Sequence, residues 1–303
     1  MNQMTEPTGV LLLDKPAGMT SHDCVAKIRR LYGTKKVGHT GTLDPMATGV
    51  LPILLGRTAK AADFLLAEDK IYFAGLKLGL TTDTEDVTGT VLTQTDDLPN
   101  EAAVRAACET MLGEQFQTPP MYSALKVNGQ KLVDLARRGI TVEREARPIR
   151  IFSIAVEAGE TPADYSLLVH CSKGTYIRTL CADIGKKLGC GGVMSSLERR
   201  QTGRFQLGEC VRLETLESMT PEERSGLLRP TESLFEDLPK VTLPPFFEKL
   251  ARSGCEIYQK KIGTAFDEGE RVSVYGKDGF FALGEVCSYP DGSAVKVLKL
   301  FSL

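Results

Sequence analysis

The chain reads as an α+β protein that ends in a small β-rich domain. At 303 residues it has length for two domains at about 150 residues each. Helix-like segments with apolar residues on one face are interspersed with short strand-like apolar runs. Near the C-terminus, three β-like runs are separated by Gly276-Lys277-Asp278-Gly279 and Pro290-Asp291-Gly292, the residues that hairpin turns favour.

Gly9 to Asp14 is a short buried strand stopped by Pro16 and Gly18. Ser21 is a suitable N-cap for a helix from His22 to Tyr32, with Val25, Ile28 and Leu31 on one face. Gly33 to Thr48 is rich in Gly, Thr and Pro and reads as a long loop, a feature more often functional than not. Val50 to Leu55 is a strand, Arg57 to Leu66 a helix, and Ile71 to Leu80 a strand. A polar turn over Thr81 to Gly89 leads to a return strand, Thr90 to Gln94. Pro99 and Asn100 open a helix ending near Gly113, and Pro119-Pro120 starts an extended segment. Asn128-Gly129 signals a turn, and Lys131 to Arg138 is a short helix ended by Gly139. Strands follow at Thr141 to Val142, Ile149 to Val156 and Tyr165 to Cys171, then a helix from Tyr176 to Leu188. Met219 to Pro245 is acidic and proline-bearing, and reads as a helix followed by a linker. The β-like runs beyond it are Arg271 to Tyr275, Phe280 to Ser288 and Ala294 to Phe301.

Composition narrows the function classes. Charged residues are 25% and hydrophobic residues 42%, as in ordinary folded chains. No window approaches the roughly 18 apolar residues of a membrane-spanning helix. The first apolar run, Val10 to Leu13, is closed by Asp14 and Lys15, unlike a secretory signal. Eight cysteines without a C-x-x-C pair argue against both a disulfide framework and a zinc site. These features predict a cytoplasmic protein. The net charge of −2 excludes binding to nucleic acid by overall charge, but the charge is uneven. Cys24 to Leu43 carries five basic residues and no acidic one. Lys126 to Arg150 carries seven basic and three acidic residues, whereas Thr81 to Glu101 has six acidic residues and no basic one. Each cluster alone is most simply a solvated face; the acidic segments, Glu214 to Asp237 included, read as faces turned away from any nucleic acid.

The densest candidate for chemistry is Lys36 to Gly49. Its glycines permit close backbone approach, and His39 lies among hydroxyl-bearing residues. Gly33 to Thr40 resembles a phosphate-binding loop, but His39 stands where that motif needs lysine and no apolar strand precedes it. Asp44 can be a turn-former. It can also attack an electrophilic carbon, and in a partly buried site it needs a cation to stay ionised. Arg178, entering a helix directly after a strand, is a candidate for that cation, although a surface ion pair is the plainer reading. Tyr72, Tyr122 and Tyr176 are either half-buried packing residues or a stacking surface for a splayed-out base.

These residues carry a family resemblance. The run Gly38-His39-Thr40-Gly41-Thr42-Leu43-Asp44-Pro45-Met46-Ala47-Thr48-Gly49 resembles the signature of the TruB class of pseudouridine synthases, the bacterial tRNA pseudouridine-55 synthases. Leu13 to Ser21 is similar to the family's opening segment, and Pro119 to Lys126 with Leu135 to Gly139 to its central motif. Cys171 to Leu180, and Leu197-Glu198-Arg199 with Gly203 and Phe205, complete the set in the family's order.

The resemblance implies a pseudouridine synthase fold with a mixed, largely antiparallel central sheet. A catalytic domain spans residues 1–240, with an RNA-gripping insertion at about 120–150. The small β-domain, residues 241–303, would be PUA-like. The implied reaction is isomerisation of one uridine in the tRNA T loop to pseudouridine after base flipping. The base–ribose link is cleaved and re-formed as a carbon–carbon bond. Neither cofactor nor metal is implied, no protein partner is obligatory, and the chain is expected to be a monomer that meets tRNA through its T arm. Asp44 falls on the catalytic aspartate, Arg178 on the arginine that pairs with it, and Tyr72 on the tyrosine that stacks on the base and serves proton transfer at C5. His39, Tyr176, Leu197, Lys15, Gly41 and Thr42 are implied to bind substrate. The sequence departs from the pattern at Val133, where tyrosine is usual, and at Glu198, where arginine is usual. Two other readings are a tRNA-binding or tRNA-folding module without catalysis and a glycosidase-like hydrolase. The second lacks an evident second carboxylate in these motifs.

Overall fold

Gly9–Lys15 forms β1, buried along most of its length, as a strand with both faces covered must be. The computed structural model of the chain describes residues 6–65, 68–127 and 129–302. The first helix, α1 (Ser21–Leu31), is capped one residue earlier than the sequence predicts. Thr20 accepts the Asp23 N–H while the Asp23 carboxylate accepts the Thr20 N–H, a reciprocal cap. The long loop after it contains a short strand, β2 (Val37–His39), which pairs with β3 (Thr48–Leu55). The helix expected over Arg57 to Leu66 begins as a 3₁₀ turn, Gly56–Ala61, and becomes α2 (Ala62–Leu65); Leu66 lies outside the described residues.

Next come β4 (Lys70–Leu78) and the hairpin β5 (Leu80–Thr82) and β6 (Val91–Gln94). Helix α3 (Glu101–Glu109) is capped by the Asn100 side chain, and β7 (Gly113–Gln117) follows it. The basic insertion holds a small hairpin, β8 (Lys126–Val127) with β9 (Gln130–Lys131), and α4 (Leu132–Ala136). Asn128 of its expected turn lies outside the described residues. Thr141 and Val142, expected as a strand, have no ladder partner and stay irregular. The chain continues through β10 (Arg147–Ala158), β11 (Asp164–Cys171), α5 (Ile177–Leu188), β12 (Gly192–Thr202), β13 (Phe205–Gln206) and β14 (Val211–Arg212).

These strands make a ten-stranded sheet in the order β14-β1-β3-β12-β4-β11-β10-β7, with β2 added to β3 and β13 to β12. Only β1–β14 and β3–β12 are parallel pairs; the sheet is mixed and largely antiparallel. One core lies between β4, β10, β11 and β12 and the helices α3 and α5. Another packs α1 on β1 and β3.

The segment 219–245, expected as a helix and a linker, is packed rather than extended. After α6 (Leu213–Ser218) come α7 (Pro221–Gly226) and a 3₁₀ turn, Thr231–Leu234. Leu234 and Phe235 are buried with Val10, Val50, Leu283 and Phe301 in a core shared by the two sheets. The second sheet is built from β15 (Lys240–Thr242), β16 (Ile257–Tyr258), β17 (Arg271–Gly276), β18 (Gly279–Tyr289) and β19 (Gly292–Leu300). Its order is β15-β17-β18-β19-β16. Helices α8 (Pro245–Arg252) and α9 (Gln259–Ile262) accompany it, in a PUA-like arrangement.

The two halves of the large sheet meet where β3 runs parallel to β12, with Thr48 opposite Glu198 and Gly49 opposite Arg199. Gly49 has φ +103°, and a Cβ there would collide with the Arg199 backbone. Glycine therefore allows this approach. The loop between β2 and β3, which carries Asp44, enters the sheet at the same junction.

Candidate active site

Asp44 lies on the loop that connects β2 to β3, and Arg178 at the start of α5 reaches it. Arg178 Nε is 2.9 Å from Asp44 Oδ2, and Nη2 donates to Oδ1 at 3.2 Å. Two parallel contacts of this kind exploit the planar guanidinium fork. Arg178 is only 5% exposed, whereas a third of the Asp44 side chain remains open. Burial raises the Asp44 pKa above the ordinary carboxylate value, and the Arg178 charge opposes that rise. The arrangement supplies a carboxylate that is held in place, partly desolvated and still accessible.

Arg178 is itself fixed by the protein. Nη2 donates to the Tyr122 carbonyl at 2.8 Å and Nη1 to the Thr84 carbonyl at 3.2 Å. Asp86 Oδ2 stands 3.8 Å from Nη1. The other oxygen of Asp86 accepts from Thr84 Oγ1, Thr88 N and Thr88 Oγ1 at 2.8, 2.9 and 2.5 Å. Its neighbour Glu85 takes the left-handed conformation, φ 63°, and accepts from Thr179 Oγ1 at 2.6 Å. The acidic segment that composition suggests is an outward face therefore turns two carboxylates inward, because α5 supplies donors for them. Asp86 is also a second carboxylate near the site, which motif reading missed. Its oxygens are committed to the protein, so it is poorly placed to serve as a hydrolase's acid or base.

Tyr72 on β4 is 6% exposed and shares a core with Leu43, Ala47 and Leu197. Leu197, on the neighbouring β12, is thus part of the apolar wall beside Asp44. Burial raises the Tyr72 pKa, and the nearby Arg199 charge opposes the rise. The sequence leaves Arg199 as the surviving arginine of a motif; the structure buries it, 1% exposed, under the Asp44 loop. Glu198 pairs with Arg200 at 2.9 Å.

Tyr176 precedes α5. Its backbone is held at both ends by the buried Gln117, which accepts from Tyr176 N at 2.8 Å and donates to its carbonyl at 3.1 Å. Burial raises the pKa of its hydroxyl. His39 ends β2 and stands edge-on to His22, with ring centroids 6.1 Å apart. Burial lowers its pKa, and the His22 charge adds to that effect. Gly41 offers its carbonyl to Arg199, and Thr42 is exposed on the same loop.

Lys15 requires a correction. It is expected to touch substrate, yet it is 0% exposed. Its ammonium donates to the carbonyls of Pro16, Pro45 and Ala47 at 2.9, 3.3 and 2.7 Å. All three donors are used, so Lys15 anchors the Asp44 loop from below. Gln117, Asp86 and Arg199 are the residues sequence reading missed as site components; Gln117 and Arg199 lie within strands and Asp86 in the β5–β6 turn, and each is recognisable only by its burial. Among the described residues, no three His, Cys, Asp or Glu side chains converge as metal ligands would.

The comparisons with known proteins decide the family. The model of the TruB family pseudouridylate synthase N-terminal domain matches residues 29–177, and that of the tRNA pseudouridylate synthase B C-terminal domain matches residues 178–236. This chain belongs to the TruB family of pseudouridylate synthases. It is 44% identical over 280 residues to tRNA pseudouridine synthase B of Syntrophotalea carbinolica, covering 91% of this chain and 90% of that relative. The corresponding enzyme of Aromatoleum aromaticum is 42% identical over 277 residues, covering 91% and 88%. Among solved structures, the chain is similar to one in a Cbf5-Nop10-Gar1 complex, with TM-score 0.74 and 28% identity, covering 98% of this chain and 85% of that one. The TruB signature loop is the β2–β3 loop, and its aspartate is the one that Arg178 grips. As a member of this family, the chain is an isomerase with a pseudouridine synthase fold.

Proposed function

We propose that this TruB-family protein converts the T-loop uridine of tRNA to pseudouridine-55, with Asp44, Tyr72 and Arg178 performing the chemistry. The observation that carries the reading is the Asp44–Arg178 fork, set in an apolar wall that includes Tyr72 and Leu197. A stacked uridine must leave its stack to reach such a site, at a cost of roughly a few kcal/mol. Stacking on Tyr72, packing against Leu197 and phosphate contacts from the insertion offset that cost. His39, on the same loop as Asp44, is placed to hold the base outside the stack, with Tyr176, Gly41 and Thr42 around the pocket.

Asp44 forms a covalent bond to the uridine as the base–ribose link breaks. Arg178 keeps Asp44 ionised and oriented before attack. The freed base turns and its C5 joins the same ribose, while the bond to Asp44 breaks and its electron pair returns to the carboxylate. Tyr72 then takes the proton from C5; the electron pair of that C–H bond restores the ring double bond, and N1 gains a proton.

We assign residues 1–240 to catalysis, the insertion at about 120–150 to gripping the T arm, and residues 241–303 to further RNA contact. No helix among the described residues is long and apolar enough to cross a membrane; we infer a cytoplasmic enzyme acting as a monomer on tRNA. The test is pseudouridine mapping on an unmodified tRNA transcript with wild type and Asp44→Asn in parallel. A modified T-loop uridine with wild type alone is expected. Binding without product at any uridine would favour the tRNA-folding module instead.

A further inference from the structure

Arg199 is a fully buried cation to which the reaction as written assigns no task. The ion pairs among the described residues include its neighbours Glu198 and Arg200, but none joins Arg199 to a carboxylate. A guanidinium does not lose its proton in a protein, and leaving an unpaired charge in the interior is unfavourable. Lys15 and Lys70 are buried nearby, and the Arg199 charge acts against the protonated form of each. A leucine or methionine would fill the volume without that repulsion.

The contacts of Arg199 show where its charge is directed. Nε donates to the Val50 carbonyl at 2.8 Å, on the strand that follows the Asp44 loop. Nη2 donates to the Gly41 carbonyl at 3.2 Å, inside that loop. Across β4–β12 the register partner of Arg199 is Tyr72, so the two side chains stand next to each other on one face of the sheet, and the Arg199 charge favours the Tyr72 phenolate. One planar side chain is thus bonded to the loop that carries Asp44 and stands beside Tyr72 on the neighbouring strand.

We propose that Arg199 is a positioning residue that ties the Asp44 loop and β3 to the strand position beside Tyr72 and, by its fixed charge there, prepares Tyr72 to accept the C5 proton. This rests on the function proposed above. In the step concerned, the Tyr72 phenol first gives its proton to solvent; the C5 proton then moves to the phenolate oxygen, the C5–H electron pair becomes the C5–C6 double bond, and N1 takes up a proton. The fixed positive charge stabilises the phenolate that must form before this transfer. Lysine would keep a charge but could not bridge the Val50 and Gly41 carbonyls with a planar fork, so the charge would not be fixed beside Tyr72.

The test uses single-turnover kinetics on a full tRNA transcript carrying protium or deuterium at uridine C5. Wild type, Arg199→Lys, Tyr72→Phe and the double variant are compared. For Arg199→Lys a rate loss of about 100-fold is expected, the scale of one proton-transfer contribution, with tRNA affinity held within about threefold. The C5 isotope effect should rise, and the limb of the pH–rate profile that reports Tyr72 should move to higher pH. Adding Arg199→Lys to Tyr72→Phe should cost clearly less than in the wild-type background, because only the contacts to the Asp44 loop and β3 then remain to be lost. Equal losses in both backgrounds, or a slower enzyme with unchanged isotope effect and pH profile, would overturn the proposal and leave Arg199 as packing. If Arg199→Lys does not fold, 3-fluorotyrosine at position 72 of otherwise wild-type protein replaces it. Its more acidic phenol should move the same limb to lower pH, and an unmoved limb would overturn the proposal. A wild-type enzyme that makes no pseudouridine would instead refute the proposed function itself.

Discussion

Arg178 grips Asp44 through both edges of its guanidinium, Nε to Oδ2 at 2.9 Å and Nη2 to Oδ1 at 3.2 Å. The two residues are far apart in sequence and come from a loop and from a helix start. Arg178→Lys keeps a charge but loses the fork and its bonds to Tyr122 and Thr84. A point charge on a flexible stem cannot hold Asp44 in the same orientation, so turnover should fall by about 100-fold or more. Tritium release from C5-labelled tRNA measures it, and near-normal rates would remove Arg178 from the mechanism.

Asp44 must be ionised to attack. Its folded pKa is raised by burial, so activity should be lost on acidification at a higher pH than for an exposed aspartate. The Asp86 charge contributes to that rise. Asp86→Asn should therefore move the acid limb of kcat/KM to lower pH while lowering the plateau, since Arg178 loses a partner. A limb that shifts upward would contradict this electrostatic account. The stability sign follows from the same raised pKa: ionising Asp44 disfavours the fold. Its contribution is fully present below the unfolded pKa and is lost as pH rises through the folded pKa.

Lys15 anchors the Asp44 loop through three backbone carbonyls. Lys15→Met removes the ammonium and leaves these carbonyls without their donor. A loss of about 2–4 kcal/mol in unfolding free energy is expected, read by urea denaturation. A variant as stable as wild type but defective in tRNA affinity would restore the substrate-contact reading.

Gly49 is where β3 passes closest to the Arg199 backbone. Gly49→Ala combines left-handed strain with collision and should destabilise the protein by about 2–5 kcal/mol. Thermal unfolding measures this; an unchanged midpoint would mean the strand junction is far more pliant than the fold indicates.

Lys126, Lys131, Arg137 and Arg138 lie exposed on the insertion. Replacing Arg137 and Arg138 by Ala should reduce the slope of log affinity against log salt by about 1–2, the release expected for up to two phosphates. An unchanged slope would place the T arm elsewhere.

Much of this site could be read from residue order. Asp44, Tyr72 and Arg178 each sit in a short local pattern, and the hairpins of the second sheet are announced by Gly- and Asp-bearing turns between apolar runs. Strand β12 was not recognisable in this way, although it lies in the middle of the large sheet. Register shifts between Met194 and Ser196 and between Arg199 and Gln201 break its alternation, so a period of two cannot be counted through it. Likewise, 219–245 has the composition of a linker, yet Leu234 and Phe235 fill the space between two sheets.

Local chemistry is sufficient to set caps, turns, strand propensity and the identity of the reactive groups, because those depend on neighbours along the chain. Burial of a polar residue depends on partners from distant segments. Asp86 points inward because Thr84, Thr88 and Arg178 receive it, Lys15 is enclosed because three carbonyls of its own loop system surround it, and Arg199 reaches Tyr72 because β12 pairs with β4. No residue type or spacing carries that information. It arises when the strands assemble, and it turns a stretch that reads as an acidic surface, a lysine expected at the substrate and a motif arginine into the frame that holds Asp44.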